Sequence, residues 1–155
     1  MEEISVEIQF KRLKTNEMNK KDSQLREAAI NAAKRAYSPY SQFNVGAAVL
    51  LEGGTIVEGN NQENIAYPSG MCAERIALFA AGSCFPENPV DSIAIIALKN
   101  GEVQHSIAPC GGCRQVMLET ERRNGHPFRI LLCGRDETII VFSAKDLLPF
   151  SFSEF

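Results

Sequence analysis

Two short stretches concentrate the residues best suited to chemistry. In "SGMCAERIALFAA", Cys72 and Glu74 stand two positions apart where a helix should begin. In "APCGGCRQVMLE", Cys110 and Cys113 stand three positions apart at the start of another. Zinc favours thiolates, and a catalytic zinc takes three protein ligands and leaves a fourth position for water. One helical turn brings the sulfurs of Cys110 and Cys113 to the same side, and Cys72 supplies a third from a second helix start. Helix N-termini favour negative charge, which lowers a thiol toward thiolate. Arg75, next to Glu74 and one turn beyond Cys72, can offset the charge of three thiolates.

Glu74 separates a catalytic from a structural site. Two positions from a ligand, it sits beside the metal without having to bind it. There it can take a proton from an activated water and hand it to a substrate. A structural zinc would be closed by four protein ligands and would need no such group. Neither histidine is placed to be that fourth ligand: His105 falls in a polar loop and His126 just precedes a strand. A Cys-x-x-Cys pair opening a helix also suits a redox motif, so a thiol–disulfide oxidoreductase using Cys110 and Cys113 is the alternative. A third reading, a zinc-stabilised binding protein, would leave Glu74 dispensable.

The composition fits a catalyst acting on a small molecule. A chain of 155 residues, 45% hydrophobic, suits one domain with a real core. No apolar run approaches the roughly 20 residues that cross a bilayer. Acids come first at the N-terminus, without a signal-type apolar core, so a cytoplasmic protein is expected. Net charge −3 and pI near 5.5 argue against a nucleic acid polymer as partner. The only basic cluster, Lys11, Arg12, Lys14, Lys20 and Lys21, is diluted by Glu2, Glu3, Glu7 and Glu17. Five cysteines in a chain of this size read as metal or redox groups rather than staples. Cys84 and Cys133 lack partners at ligand spacing and are expected to be buried thiols.

The elements that must position these groups follow from periodicity. Ile4, Val6, Ile8 and Phe10 alternate, which predicts a short strand or arm. From Leu25 to Ala36 an alanine-rich stripe has helical spacing, with Asp22 or Ser23 as N-cap. "VGAAVLLEGGTIVEGNN" reads as a hairpin of two strands, Val45–Leu51 and Thr55–Gly59. "MCAERIALFAAG" predicts a helix capped by Gly82. "DSIAIIAL" has the continuous apolar character of a doubly covered strand. A helix opening at Pro109–Gly111 closes at Asn124–Gly125; "PFRILLC" and "ETIIVF" predict two strands, and "SAKDLLPF" a short helix. Helices alternating with buried strands imply a three-layer α/β/α domain on a mixed sheet of about five strands, its first two antiparallel. Residues 1–21 are set apart as an arm or extra strand, and 22–155 form one domain.

The pairing of "CAE" with "PCGGC" is the cysteine form of the zinc-deaminase signature. Together with "SPYSQFNVGAAVL", "NQENIAYPSGMCAERIA", "PCGGCRQVM" and "LLPFSF", it resembles the small, homotetrameric, zinc-dependent cytidine deaminases that act on free nucleosides. The resemblance runs from about Leu25 to Phe152. It implies a cytidine-deaminase-like fold, one zinc per chain on Cys72, Cys110 and Cys113, and Glu74 as the proton shuttle. It implies that Asn61 and Glu63 bind the ribose hydroxyls and that Phe43 lines the base pocket. Tyr67 falls in the matching substrate loop, the Ala73 backbone N–H would orient substrate, and Phe152 would close a neighbouring subunit's site. The implied reaction is hydrolysis of cytidine and deoxycytidine to the uracil nucleosides and ammonia, as in pyrimidine salvage. A related nucleotide or modified nucleoside is the alternative substrate. The chain departs from the family in its longer leader, residues 1–20, and at Asn44, where proline is frequent. "NQEN" separates it from relatives that deaminate blasticidin-type antibiotics.

Overall fold

The computed structural model describes residues 1–153; the last two positions of the expected 22–155 domain lie outside the described residues. The strands are β1 (Phe10–Lys14), β2 (Phe43–Leu51), β3 (Ile56–Asn60), β4 (Val90–Lys99), β5 (Glu102–Val103), β6 (Arg129–Cys133) and β7 (Glu137–Val141). The helices are α1 (Lys20–Ala33), α2 (Ala73–Cys84), α3 (Gly111–Asn124) and α4 (Ala144–Leu147). One sheet runs in the order β1-β7-β6-β4-β2-β3, with β5 paired to β4. Among the described strands only β4 and β6 are parallel, and α3 makes the crossover between them. The five expected strands are present, and β1 and β5 raise the number to seven among the described residues.

Alternation along each strand divides the core into two layers. Ala47, Val49, Leu51, Ile93, Ile95, Ile130 and Leu132 pack under α2 and α3. Ala48, Leu50, Ala94, Ile96, Leu98, Leu131 and Cys133 pack under α1 with Leu25, Ala29 and Ala33. A period of two sends neighbouring residues to opposite faces, so the strands of a sheet covered on both sides read as nearly continuous apolar runs.

Four expectations need correction. The strand at the N-terminus is Phe10–Lys14, not the alternating stretch before it, because only these residues meet an antiparallel partner, β7. Helix α1 starts earlier than Asp22. Its N-cap is Asn19, whose Oδ1 accepts from the Asp22 N–H at 2.8 Å. Asp22 is instead nearly buried and receives both Nη groups of Arg129 at 2.9 and 2.8 Å, pinning α1 to β6. Gly82 lies inside α2 rather than capping it: a Cβ there would stand 2.8 Å from Nη1 of Arg123, so glycine leaves room for the tip of that α3 side chain. Cys84, the last residue of α2, is exposed, whereas Cys133 is buried in the α1 layer.

Candidate metal and active site

The starts of α2 and α3 are set by what lies behind them. Gly59 in β3 faces the first turns of α2, where a Cβ would come within 2.5 Å of the Ala77 N and 2.6 Å of the Ala73 O. Its missing side chain lets the strand seat the helix, and Ala73 and Ala77 are fully buried against it. The other helix follows Pro109, also fully buried, and ends cleanly at Gly125 with φ 76°. Arg114 braces its first turn, donating from Nε to the Pro109 carbonyl and from Nη1 to the Leu147 carbonyl, both at 2.8 Å.

These supports bring Cys72 and Cys110 together, each as the N-cap of its helix, with Cys113 one turn into α3. The sulfurs of Cys72 and Cys110 are 3.9 Å apart, and those of Cys110 and Cys113 are 3.5 Å apart. All three lie within 4.8 Å of one another, the one such group among the described residues. Thiolates about 2.3 Å from a tetrahedral zinc stand about 3.8 Å from each other. The donor set therefore fits zinc with its fourth position open. His105 and His126 are both exposed, and His126 Nε2 pairs with Glu52 on the surface at 3.2 Å.

The electrostatics around the thiols are uneven. The hydrogen bond with Cys113 pulls Cys72 down to about 5 despite desolvation, helped by Arg75, whose Nη2 lies 3.7 Å from its sulfur. Cys113 is pushed far up, by the same bond, by burial and by the charge of Glu74. Of the two thiols, Cys72 is thus the one favoured as thiolate. The Arg75 guanidinium is held in its charged form by Cys72, while its buried Nε has no partner. Glu74 is only 4% exposed, and burial first, then the neighbouring Cys72 charge, raises its carboxyl above the usual range. Raising a buried carboxyl in this way favours its protonated form and suits it to giving a proton as well as taking one.

A cavity of about 560 Å³ opens in front of Cys72 and Arg75. Ser41, Asn61, Glu63 and Tyr67 are on its wall; Phe43 and Phe152 are not among its lining residues. Its size is that of a small-molecule site. One wall is the segment 61–63, held on both sides. Its backbone pairs with Met71 through two bonds of 2.9 Å and with Tyr37 through bonds of 3.0 and 2.8 Å. The Glu63 carboxylate accepts from the Tyr40 N–H at 2.9 Å, from the Ser41 N–H at 3.2 Å and from the Ser41 hydroxyl. The Ser41 hydroxyl bond is the main cause that holds Glu63 below the usual carboxylate range. Asn61 ties its side chain to β2, its Oδ1 accepting from the Val45 N–H at 2.7 Å and its Nδ2 donating to the Phe43 carbonyl at 3.0 Å. An amide has two lone pairs and two N–H groups, so one of each is left for a ligand.

The aromatic candidates are placed differently. Phe43 is half-buried at the start of β2, and Tyr67 is largely exposed at the cavity mouth. Phe152 is exposed at 66% on a C-terminal segment that lies along α3, where its carbonyl accepts from Gln115 at 2.8 Å. Sequence reasoning did not single out Ser41. Its signal was available in "SPYSQF", where turn-forming residues interrupt a helix and a strand and so present backbone donors.

The model of the cytidine and deoxycytidylate deaminase zinc-binding region matches residues 19–124. A cytidine deaminase of Halalkalibacterium halodurans is 44% identical over 125 residues, covering 81% of this chain and 89% of that protein. One from Mycobacterium tuberculosis is 38% identical, covering 83% and 86%. The crystal structure of cytidine deaminase from Burkholderia pseudomallei superposes with a TM-score of 0.72 at 38% identity, covering 87% of this chain and all of that one.

Proposed function

This chain belongs to the cytidine and deoxycytidylate deaminase family of zinc-dependent hydrolases, and we propose that it removes the exocyclic amine of free cytidine and deoxycytidine. The observation that carries this reading is the meeting of three thiols at two helix starts beside the buried Glu74. The redox alternative for Cys110 and Cys113 falls with the family assignment. Cys72, Cys110 and Cys113 hold the zinc, which when bound supplies the Lewis acidity that makes water nucleophilic near neutral pH.

The remaining work belongs to the chain's own groups. Glu74 accepts a proton from the attacking water and delivers it to ring nitrogen 3 as oxygen bonds to carbon 4. It then passes the second proton of the water to the amine, the carbon–nitrogen bond breaks, and ammonia leaves with the uracil nucleoside. The free N–H groups at the start of α2, that of Ala73 first, are unpaired within the helix and can meet polar atoms of the base. Asn61 and Glu63 bracket the ribose hydroxyls: the amide donates, and the ionised carboxylate accepts. Arg75 offsets the thiolate charge at Cys72, a role supported by its contact with that sulfur.

Phe43 flanks the base, Tyr67 covers the cavity mouth, and Phe152 reaches a neighbouring subunit's site in a homotetramer. The exposure of Tyr67 and Phe152 supports the last two assignments. Residues 22–155 are the deaminase domain and 1–21 an accessory arm, in keeping with a family match that begins at residue 19. We place the protein in cytoplasmic pyrimidine salvage; no helix among the described residues is long and apolar enough to cross a membrane. The test is cytidine with purified protein of known zinc content, followed by loss of cytosine absorbance. Conversion to uridine is expected. No conversion at one zinc per chain would overturn the nucleoside reading.

A further inference from the structure

We propose that residues 2–14 are an assembly surface on which two copies of this chain pair antiparallel, edge to edge, with Ile8 facing Ile8. The first observation is an open sheet edge. Among the described strands β1 pairs only with β7, so its outer edge faces outward as a template for another strand, apart from the Lys14 N–H, which the Glu17 carboxylate meets at 2.8 Å. The second is the stretch that precedes it. Residues 1–9 have no regular secondary structure, yet Ile4, Val6, Ile8 and Phe10 alternate and are 83%, 64%, 40% and 54% exposed. In extended chain such alternation puts all four on one face. On that face Ile8 and Phe10 already line an apolar groove of about 360 Å³ with Leu132, Ile139, Val141 and Leu147.

The order of charges says what fits there. Glu2, Glu3 and Glu7 come before Ile8 in the chain, and Lys11, Arg12 and Lys14 come after it. A segment acidic in its first half and basic in its second is complementary to itself only when the two copies run antiparallel. A parallel pairing would stack lysine on lysine. Centred on Ile8, the five residues of β1 meet residues 2–6 of the other copy. Val6 then lies opposite Phe10, extending the apolar face, and Glu2 lies opposite Lys14. The two halves of the contact are the same surface, so each such contact joins just two copies. Among the described residues the Arg12 side chain has an exposed ion pair with Glu137 at 3.7 Å, and Lys11 lies 5.7 Å from the Phe142 ring. The family match begins at residue 19, so the surface belongs to this chain's own leader.

Cross-linking of the full, zinc-loaded chain reads the register. In a Cys84→Ser background, Ile8→Cys should give a covalent dimer under mild oxidation, because paired strands hold facing Cβ atoms within disulfide reach. Ile4→Cys alone should not, since the two copies of residue 4 would lie about 26 Å apart. Ile4→Cys combined with Arg12→Cys should restore the dimer; within one extended chain those residues are equally distant. Full-length protein whose Ile8→Cys form stays a single chain on a denaturing gel would overturn the pairing. So would Ile4→Cys cross-linking as fast as Ile8→Cys.

Discussion

The two halves of the site are built on different terms. The catalytic half sits on helix starts seated over the core: Ala73, Ala77 and Cys113 are fully buried, and Glu74 nearly so. Its polar groups are left charged, shifted or unpaired, as in the lowered Cys72, the raised Glu74 and the partnerless Arg75 Nε. The proposed recognition half is built from the largely exposed segments 37–41 and 61–67, where the Asn61 and Glu63 side chains are already paired within the chain. Rigid packing lets the first half keep reactive groups that water would otherwise neutralise. The second half, near water, is held in shape by its own hydrogen bonds and spends only leftover bonding capacity on a ligand. Damage to the two halves should therefore be felt in different quantities.

The largest effect should come from Cys110→Ala. It removes one of three close sulfurs, so zinc should be lost and turnover should fall to background; metal analysis after dialysis checks this, and full occupancy would remove Cys110 from the ligand set. Gly59→Val attacks the seat of α2, where the new Cβ meets backbone atoms at 2.5 and 2.6 Å. A loss of about 1–3 kcal/mol is expected in urea unfolding, and an unchanged midpoint would mean that α2 does not rest on β3. Asn61→Ala crosses the divide. It frees the Val45 N–H and the Phe43 carbonyl, so stability should fall by about 1–3 kcal/mol while KM rises. A rise in KM alone would make Asn61 purely a ligand group.

The smallest effect, confined to recognition, belongs to Ser41→Ala. Loss of its hydroxyl bond to Glu63 should raise KM roughly three- to tenfold with kcat unchanged. The pH profile should move as well. Glu63 has a lowered pKa, so its binding contribution is present above that value and fades as pH falls through it. Without Ser41 the carboxyl protonates at higher pH, and KM should begin to climb earlier on the acid side. An identical acid limb in the variant would detach Ser41 from Glu63.

Legibility in the sequence follows the same division. The meeting of Cys72, Cys110 and Cys113 could be read because metal ligation at helix starts demands particular residue types at short spacings. Strands β4 and β6 could be read because burial on both faces leaves unbroken apolar runs. The ties of the recognition half could not, since Glu63 meets Tyr40 and Ser41 across more than twenty intervening residues. Asp22 misled for a related reason. A local cap and a distant Arg129 compete for the same carboxylate, and the distant cation wins the side chain while Asn19 takes the cap. Gly82 resembled a helix stop, but its small size answers to a neighbouring helix. Alternation in Ile4–Phe10 predicted a strand but could not place it, because β7 pairs only with Phe10–Lys14.

The central claim is that Glu74 moves protons beside a zinc that it does not hold. Glu74→Gln keeps the shape of the side chain and removes its acid–base chemistry. Zinc content, thermal unfolding and cytidine turnover should be measured on the same preparations of both proteins. One zinc per chain and a similar melting temperature are expected in each, with turnover in the variant lower by about 10²- to 10⁴-fold. Near-normal turnover by Glu74→Gln at full zinc occupancy would contradict the account.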